Sequence, residues 1–271
     1  ARGEDGKTYY VPANMTYKEW KKSFVEGNKT GLQEMSADDI MQEKDAKFKS
    51  VADVSDFEEL HQYMHENYNI DMDNSVTGLD FNAVRDSLTG VESVILEYPE
   101  VGYLLKTIET SNSGVMSCTG STISFNKEYY NIGTDLADKC YTASQMGAWI
   151  KNCSPKTIGA HEAGHGVEWL LIQSNTAYKY DFERTIAWNK CSEAKSIVNE
   201  AIKNIKKTEY GKGKKKADLI KEISQYALDS DSEAFAEAFH DVYANDKEAN
   251  PLSLEIKKIT RQRMNHYKEV D

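Results

Sequence analysis

Residues 157–169 read TIGAHEAGHGVEW: His161 and His165 stand four apart, and Glu162 directly follows the first. On a helix, four residues return a side chain to the same face, so both imidazoles can meet one ion. Glu162 is turned by about 100° from His161, which sets it beside such an ion rather than on it. From there it can take a proton from water that zinc has made more acidic. A catalytic zinc takes three protein ligands and leaves a position for water, so the pair demands a third ligand elsewhere in the chain. Without one, two histidines a turn apart are only a helix face.

The helix is well marked. Ser154 can cap it, and Pro155 occupies the first helical position, where its missing N–H costs nothing. Ile158, Val167, Leu170 and Leu171 supply a buried side. Gly164 and Gly166 each cost about 1 kcal/mol in a helix interior; close approach of another backbone, or of a substrate, accounts for them.

For the third ligand, no histidine occurs in GVEWLLIQSN, which follows His165 and excludes a nearby histidine ligand. DSDSEAFAEAFHDVYAND, residues 229–246, offers carboxylates instead. Asp231 or Ser232 can cap a helix there, with Phe235, Ala238, Phe239 and Val242 as its apolar stripe. Glu233 and Glu237 lie one turn apart on a shared face. A carboxylate pair edged by Phe and Ala is costly unless a cation meets it, and a metal with its histidines would do so. Either glutamate could be the ligand on this reading.

The remaining composition sets bounds. With 271 residues, the chain can form one large domain or a domain with a smaller appendage. An apolar fraction of 39% and a mean hydropathy of -0.66 predict a packed core in one part and a polar remainder. A net charge of -11 excludes a partner bound by phosphate neutralisation, so no nucleic acid is expected. No apolar run reaches about 18 residues, so no membrane span is expected. ARGEDGKTYY lacks the apolar region of a signal peptide, and a start at Ala1 is that of a fragment or processed product. Cys118, Cys140, Cys153 and Cys191 form no C-x-x-C pair; buried reduced thiols are favoured over one or two disulfides.

Along the chain, residues 1–75 read as a polar, helical N-terminal segment and residues 76–271 as the main domain. MTYKEWKKSFVEG sets Tyr17, Trp20 and Phe24 on one stripe, SADDIMQEK offers Ser36 as a cap, and DVSDFEELHQYMHENY reads as a helix capped by Ser55. His61 and His65 in that helix are followed by no general base, since Gln62 stands where Glu162 does in the later motif. They read as an ordinary helix face. LDFNAVRDSLTGVESVILEY is helical and ends before Pro99, and a short helix follows around GYLLKTIE. GVMSCTGSTISFNKEYYN changes period and predicts a hairpin or two successive strands. Helices dominate the rest, which makes the class α+β. The basic run KNIKKTEYGKGKKKADLIKE, residues 203–222 and broken by Gly211 and Gly213, reads as a flexible, solvated loop; a functional version would be a basic rim for acidic substrate segments.

HEAGH followed by EAFAEAF resembles the gluzincin class of zinc metallopeptidases, and within it the family of the anthrax lethal factor catalytic domain. The resemblance implies a zincin-like fold, mostly helical with a small mixed sheet, holding Zn²⁺ between His161, His165 and Glu233. It implies that Tyr226, seven residues before Glu233, assists the transition state, and that Glu237 supports a zinc histidine from behind. Glu162 is then the general base of a hydrolase acting on a peptide or protein. STISF, upstream of the active helix, is expected to be the sheet edge along which an extended substrate pairs. The basic run makes the interval between HEAGH and Glu233 long for this family.

At the front, GKTYYVPANMTYKEWKKSFVEG resembles a segment in the C-terminal part of phage minor head (head-morphogenesis) proteins, which in prophages and mobile elements often carry a toxin-like or enzymatic domain. That implies a part of a longer phage or mobile-element protein, located in the bacterial cytoplasm or on the phage particle. The rival expectation is a non-enzymatic structural or interaction module with a vestigial or structural zinc, which would have no need of Glu162. A third, an ADP-ribosyltransferase, lacks its R…S-T-S…E-x-E progression here.

Overall fold

A computed structural model describes residues 50–270. The helices expected around Tyr17, Trp20 and Phe24 and after Ser36 lie outside the described residues. In chain order the elements are α1 (Phe57–Tyr68), β1 (Asp71–Met72), α2 (Phe81–Glu97), α3 (Pro99–Leu104), β2 (Thr107–Ser111), β3 (Met116–Thr119) and β4 (Thr122–Asn126). Then follow α4 (Leu136–Gln145), α5 (Pro155–Ser174), α6 (Asp181–Asn189), α7 (Ser192–Ile205), α8 (Lys216–Lys221), α9 (Asp231–Asn245) and α10 (Pro251–Val270). Short 3-10 turns include Asn74–Gly78 and Tyr226–Leu228. The architecture is mostly helical, with one small mixed sheet.

The sheet has four strands in the order β1-β2-β4-β3. β1, β2 and β4 run parallel, while β3 and β4 form an antiparallel hairpin with Cys118 opposite Ile123. Gly120 makes its turn with a φ of 60°, a conformation that favours glycine. The hairpin expected from GVMSCTGSTISF is therefore present, but STISF is not the edge. β4 is flanked on both sides, and among the described residues β3 is the edge strand beside the histidine helix. The KTIE stretch expected to be helical supplies β2: Leu105 leaves the helix in an extended conformation, and Ile108 is buried in the sheet. Local spacing could not reveal that, because partners for β2 come from β1 and β4, which are distant in sequence.

α5 is the central element, and α2, α9 and β3 all pack on it. The crossing with α2 is closed by glycines. A Cβ on Gly90 would stand 1.7 Å from the Lys156 carbonyl oxygen, and one on Gly159 would stand 1.8 Å from that of Ser87. The two backbones thus touch, with Ile158, Ala160 and Val167 from α5 and Val84, Leu88 and Val91 from α2 buried around them. Ser154 caps α5 by accepting from the Thr157 N–H, and Pro155 begins it.

Other boundaries differ from the expected ones. Asp56, not Ser55, caps α1, accepting from the Glu59 N–H. Ser230, rather than Asp231 or Ser232, caps α9, accepting from the Glu233 N–H at 3.0 Å. Pro99 ends α2 and also opens α3. The basic run is helical at both ends, within α7 and α8, so its loop is limited to residues 206–215; there Lys214 pairs with Glu222 at 2.8 Å. Residues 50–75 belong to the same compact unit as the rest of the described chain. β1 adds to the sheet, and the Val51 N–H donates to Glu92 at 2.9 Å. The boundary drawn at residue 75 thus falls inside that unit, which begins at Ser50. All four cysteines are free thiols, buried except for the half-exposed Cys191.

Candidate metal centre

The first ring of the site comes from α5 and α9. Helical spacing turns His161 and His165 to one side of α5, where their rings lie 5.0 Å apart, centroid to centroid. The start of α9 brings Glu233 against them. Its Oε2 is 3.2 Å from His161 Nε2 and 3.6 Å from His165 Nε2. Gly164 makes this approach possible: a Cβ there would lie 3.2 Å from Phe239 and 3.3 Å from the Ala236 Cα. For Gly164, close approach of another backbone is the explanation observed, whereas Gly166 meets the side chains of Val101 and Cys118.

A tetrahedral zinc with bonds of 2.0–2.1 Å has ligand–ligand edges of about 3.3 Å, close to both measured separations. Glu233 Oε2 is buried and has no hydrogen-bond partner. A buried carboxylate oxygen without a donor is costly, and here it faces two imidazole nitrogens at the spacing of a metal's ligand shell. These three side chains could hold a metal ion.

His161, Glu237 and His240 also lie close enough to hold an ion. Their spacing is that of hydrogen bonds. Glu237 Oε1 is 2.9 Å from His161 Nδ1 and 2.8 Å from His240 Nδ1, and His240 Nε2 is 2.9 Å from Thr157 Oγ1. With Glu237 accepting at Nδ1–H, His161 is left with its Nε2 lone pair turned to Glu233 and the candidate ion. Sequence reasoning missed Thr157 and His240, although the signal existed: Thr157 is four residues before His161, and His240 is three after Glu237. The exposed His61 and His65 belong to no such three-residue group among the described residues; His65 instead pairs with Asp71.

Glu162 is buried beside this ring. Its Oε2 accepts the Cys118 N–H of β3 at 3.0 Å, and Oε1 makes no hydrogen bond among the described residues. The sheet thus holds one of its two carboxylate oxygens. Burial raises the Glu162 pKa, an effect that the two histidines oppose. Tyr226 is anchored through its N–H to the Ala148 carbonyl at 3.0 Å, and its ring lies 5.9 Å from that of His161. Burial, then the charge of Glu233, pushes its phenol above its ordinary pKa, so it keeps its proton at neutral pH. For His161, burial works against the charged ring, but the nearby Glu233 carboxylate and the bond to Glu237 outweigh it and raise the pKa. Burial opposes ionisation of Glu233 and Glu237 as well, yet their histidine partners hold both carboxyls well below the usual range.

A pocket of about 430 Å³ opens beside the centre. His161, Glu162 and Tyr226 line it together with Met116, Trp149 and Ile158. The site therefore brings together three side chains that could hold a metal, a buried carboxylate, a phenol and a pocket lined by both polar and apolar side chains. On the other side of the ring, Ser232 Oγ is 3.2 Å from His165 Nδ1 and donates to Glu168 Oε2. Comparison of the chain with known protein families, with curated proteins and with solved structures gives no match.

Proposed function

We propose that the protein is a zinc-dependent endopeptidase of the gluzincin type, similar to the anthrax lethal factor catalytic domain. One observation carries the reading: the buried, unpartnered Glu233 Oε2 lies 3.2 and 3.6 Å from the Nε2 atoms of His161 and His165. His161, His165 and Glu233 would hold Zn²⁺, which when bound supplies a Lewis acid for water and for the substrate carbonyl. Glu162, through Oε1, takes the proton of the attacking water and then delivers it to the leaving amine. Tyr226 donates its phenol proton in a hydrogen bond to the oxygen on which charge develops. An extended peptide would pair with the outer edge of β3 and lodge a side chain in the cleft between Met116, Trp149 and Ile158.

Supporting this over a structural module are the free Oε1 of Glu162 and the open cleft, neither of which a structural zinc site requires. The test is cleavage of a mixed peptide library by the zinc-loaded protein beside its Glu162→Gln variant. Cleavage by the wild type, and none by a variant that still binds zinc, is expected. A variant that cleaves at the wild-type rate would overturn the mechanism.

A further inference from the structure

Two histidines face the candidate ion, and the carboxylate Glu237 accounts for only one of them. His165 has its own support, which starts in the second-last residue of TIGAHEAGHGVEW. Glu168 follows His165 by three positions, on the same face of α5. It is fully buried, at 0% exposure. Its Oε2 accepts a short hydrogen bond from Ser232 Oγ, and its Oε1 has no hydrogen-bond partner. The same Ser232 oxygen lies 3.2 Å from His165 Nδ1.

A serine hydroxyl has a single hydrogen. Given to Glu168, it leaves only lone pairs for His165, so Nδ1 must carry the proton and donate. His165 is then fixed in the tautomer whose Nε2 offers a lone pair toward Glu233. We infer that Ser232 and Glu168 form a relayed support for His165, running from Nδ1–H to the Ser232 hydroxyl to the Glu168 carboxylate, and that it sets the metal affinity of the centre. This rests on the reading of the centre as a zinc site. Ser232 and Glu168 are positioning residues, since neither reaches the face on which the ion would lie.

The arrangement explains two otherwise costly choices. A carboxylate with no exposure in a helix that is buried along nearly its whole length needs a donor, and Ser232 supplies it. A serine in the first turn of α9 that does not cap the helix, since Ser230 does, is free to face α5. The support also ties ligand to ligand: Ser232 directly precedes Glu233, so the hydrogen bonds that orient His165 also fix the start of the helix carrying the third ligand.

The experiment is a zinc titration against a competing chelator, for the wild type, Ser232→Ala, Ser232→Thr and the double variant Ser232→Ala/Glu168→Met. The double variant removes the buried charge along with its donor, and so keeps the test valid if Ser232→Ala alone does not fold. Loss of a support of this kind weakens metal binding by about 10–100-fold. That loss is expected in Ser232→Ala and in the double variant, whereas Ser232→Thr, which keeps the hydroxyl, should match the wild type. The visible spectrum of the cobalt-substituted protein should change in the same two variants, which a purely structural role would not produce. Wild-type affinity in the folded double variant would overturn the inference while leaving the zinc reading standing. A wild type that binds no zinc would overturn both.

Discussion

At the residue scale, three side chains divide the proposed chemistry by their surroundings. Glu233 has an oxygen stripped of donors and faced by imidazoles, Glu162 has one oxygen fixed by the sheet and one free, and Tyr226 keeps its proton because burial and nearby carboxylates disfavour the phenolate. Tyr226→Phe should therefore lower kcat by about 10²-fold, in line with loss of one oxyanion donor, with zinc affinity unchanged. Steady-state kinetics on any cleaved peptide would check this, and an unaltered kcat would remove Tyr226 from the mechanism. The four-residue step of HEAGH was legible in the sequence because helix geometry converts spacing directly into facing. The supports were not, because Ser232 and Glu168 lie 64 positions apart and meet only once α9 docks on α5. Spacing marked Glu237 only as one of two possible ligands, and its role behind His161 came from the resemblance; their contact spans 76 positions.

At the scale of elements, the centre depends on where α5 runs, and α5 is placed by backbone contact with α2. Gly159→Ala would drive a methyl group into the Ser87 carbonyl, an overpacking that costs about 3 kcal/mol. For a unit of this size that lowers Tm by roughly 10 °C, and the displaced helix should bind zinc more weakly. Gly78→Ala is the matched control: nothing lies within 4 Å of its Cβ position, and its Tm should stay at or slightly above the wild type. Thermal melts of the two variants decide this; equal melting temperatures would mean that the crossing is not tight. Helices with strong caps and stripes, such as α5 and α2, could be read from sequence. Strand order could not. Whether STISF lies inside the sheet or at its edge depends on β2, and the sequence of β2 looks helical until its partners are known.

For the whole described unit, one source of acid sensitivity away from the candidate centre is Glu97. The last turn of α2 holds this carboxylate against the Lys257 ammonium, the Tyr243 hydroxyl at 2.6 Å and Arg261 at 2.7 Å, so one residue links α2 to both α9 and α10. Burial works against the Glu97 charge, but the bonds from Lys257 and Tyr243 outweigh it and bring the pKa down from 4.5 to about 2. Burial also lowers the pKa of Lys257, so the pair contributes less than the Glu97 shift alone suggests. A carboxyl with a depressed folded-state pKa stabilises fully above its unfolded value and loses that contribution as pH falls toward 2. Glu97→Gln should cost about 3 kcal/mol at pH 7 by leaving Lys257 unpaired, and the gap from wild type should narrow as pH drops below 4.5. Urea midpoints at pH 7 and pH 3 measure it; a gap of constant size would show that Glu97 does not carry the effect. Local spacing shows no sign of this network, whose other members stand 146 to 164 positions from Glu97. Nor did it place the start of the unit at Ser50, since the polar surface of residues 50–75 hid how Val51, Leu60, Met64 and Ile70 enter the core.

On the reading proposed above, a metal is bound on the Glu233 side of His161 and not on the Glu237 side. Zinc content and affinity, measured for the wild type, Glu233→Ala and His240→Ala, test it most directly. About one zinc per chain is expected in the wild type, lost or greatly weakened in Glu233→Ala and retained in His240→Ala. No zinc in the wild type, or loss in His240→Ala with full binding in Glu233→Ala, would contradict it.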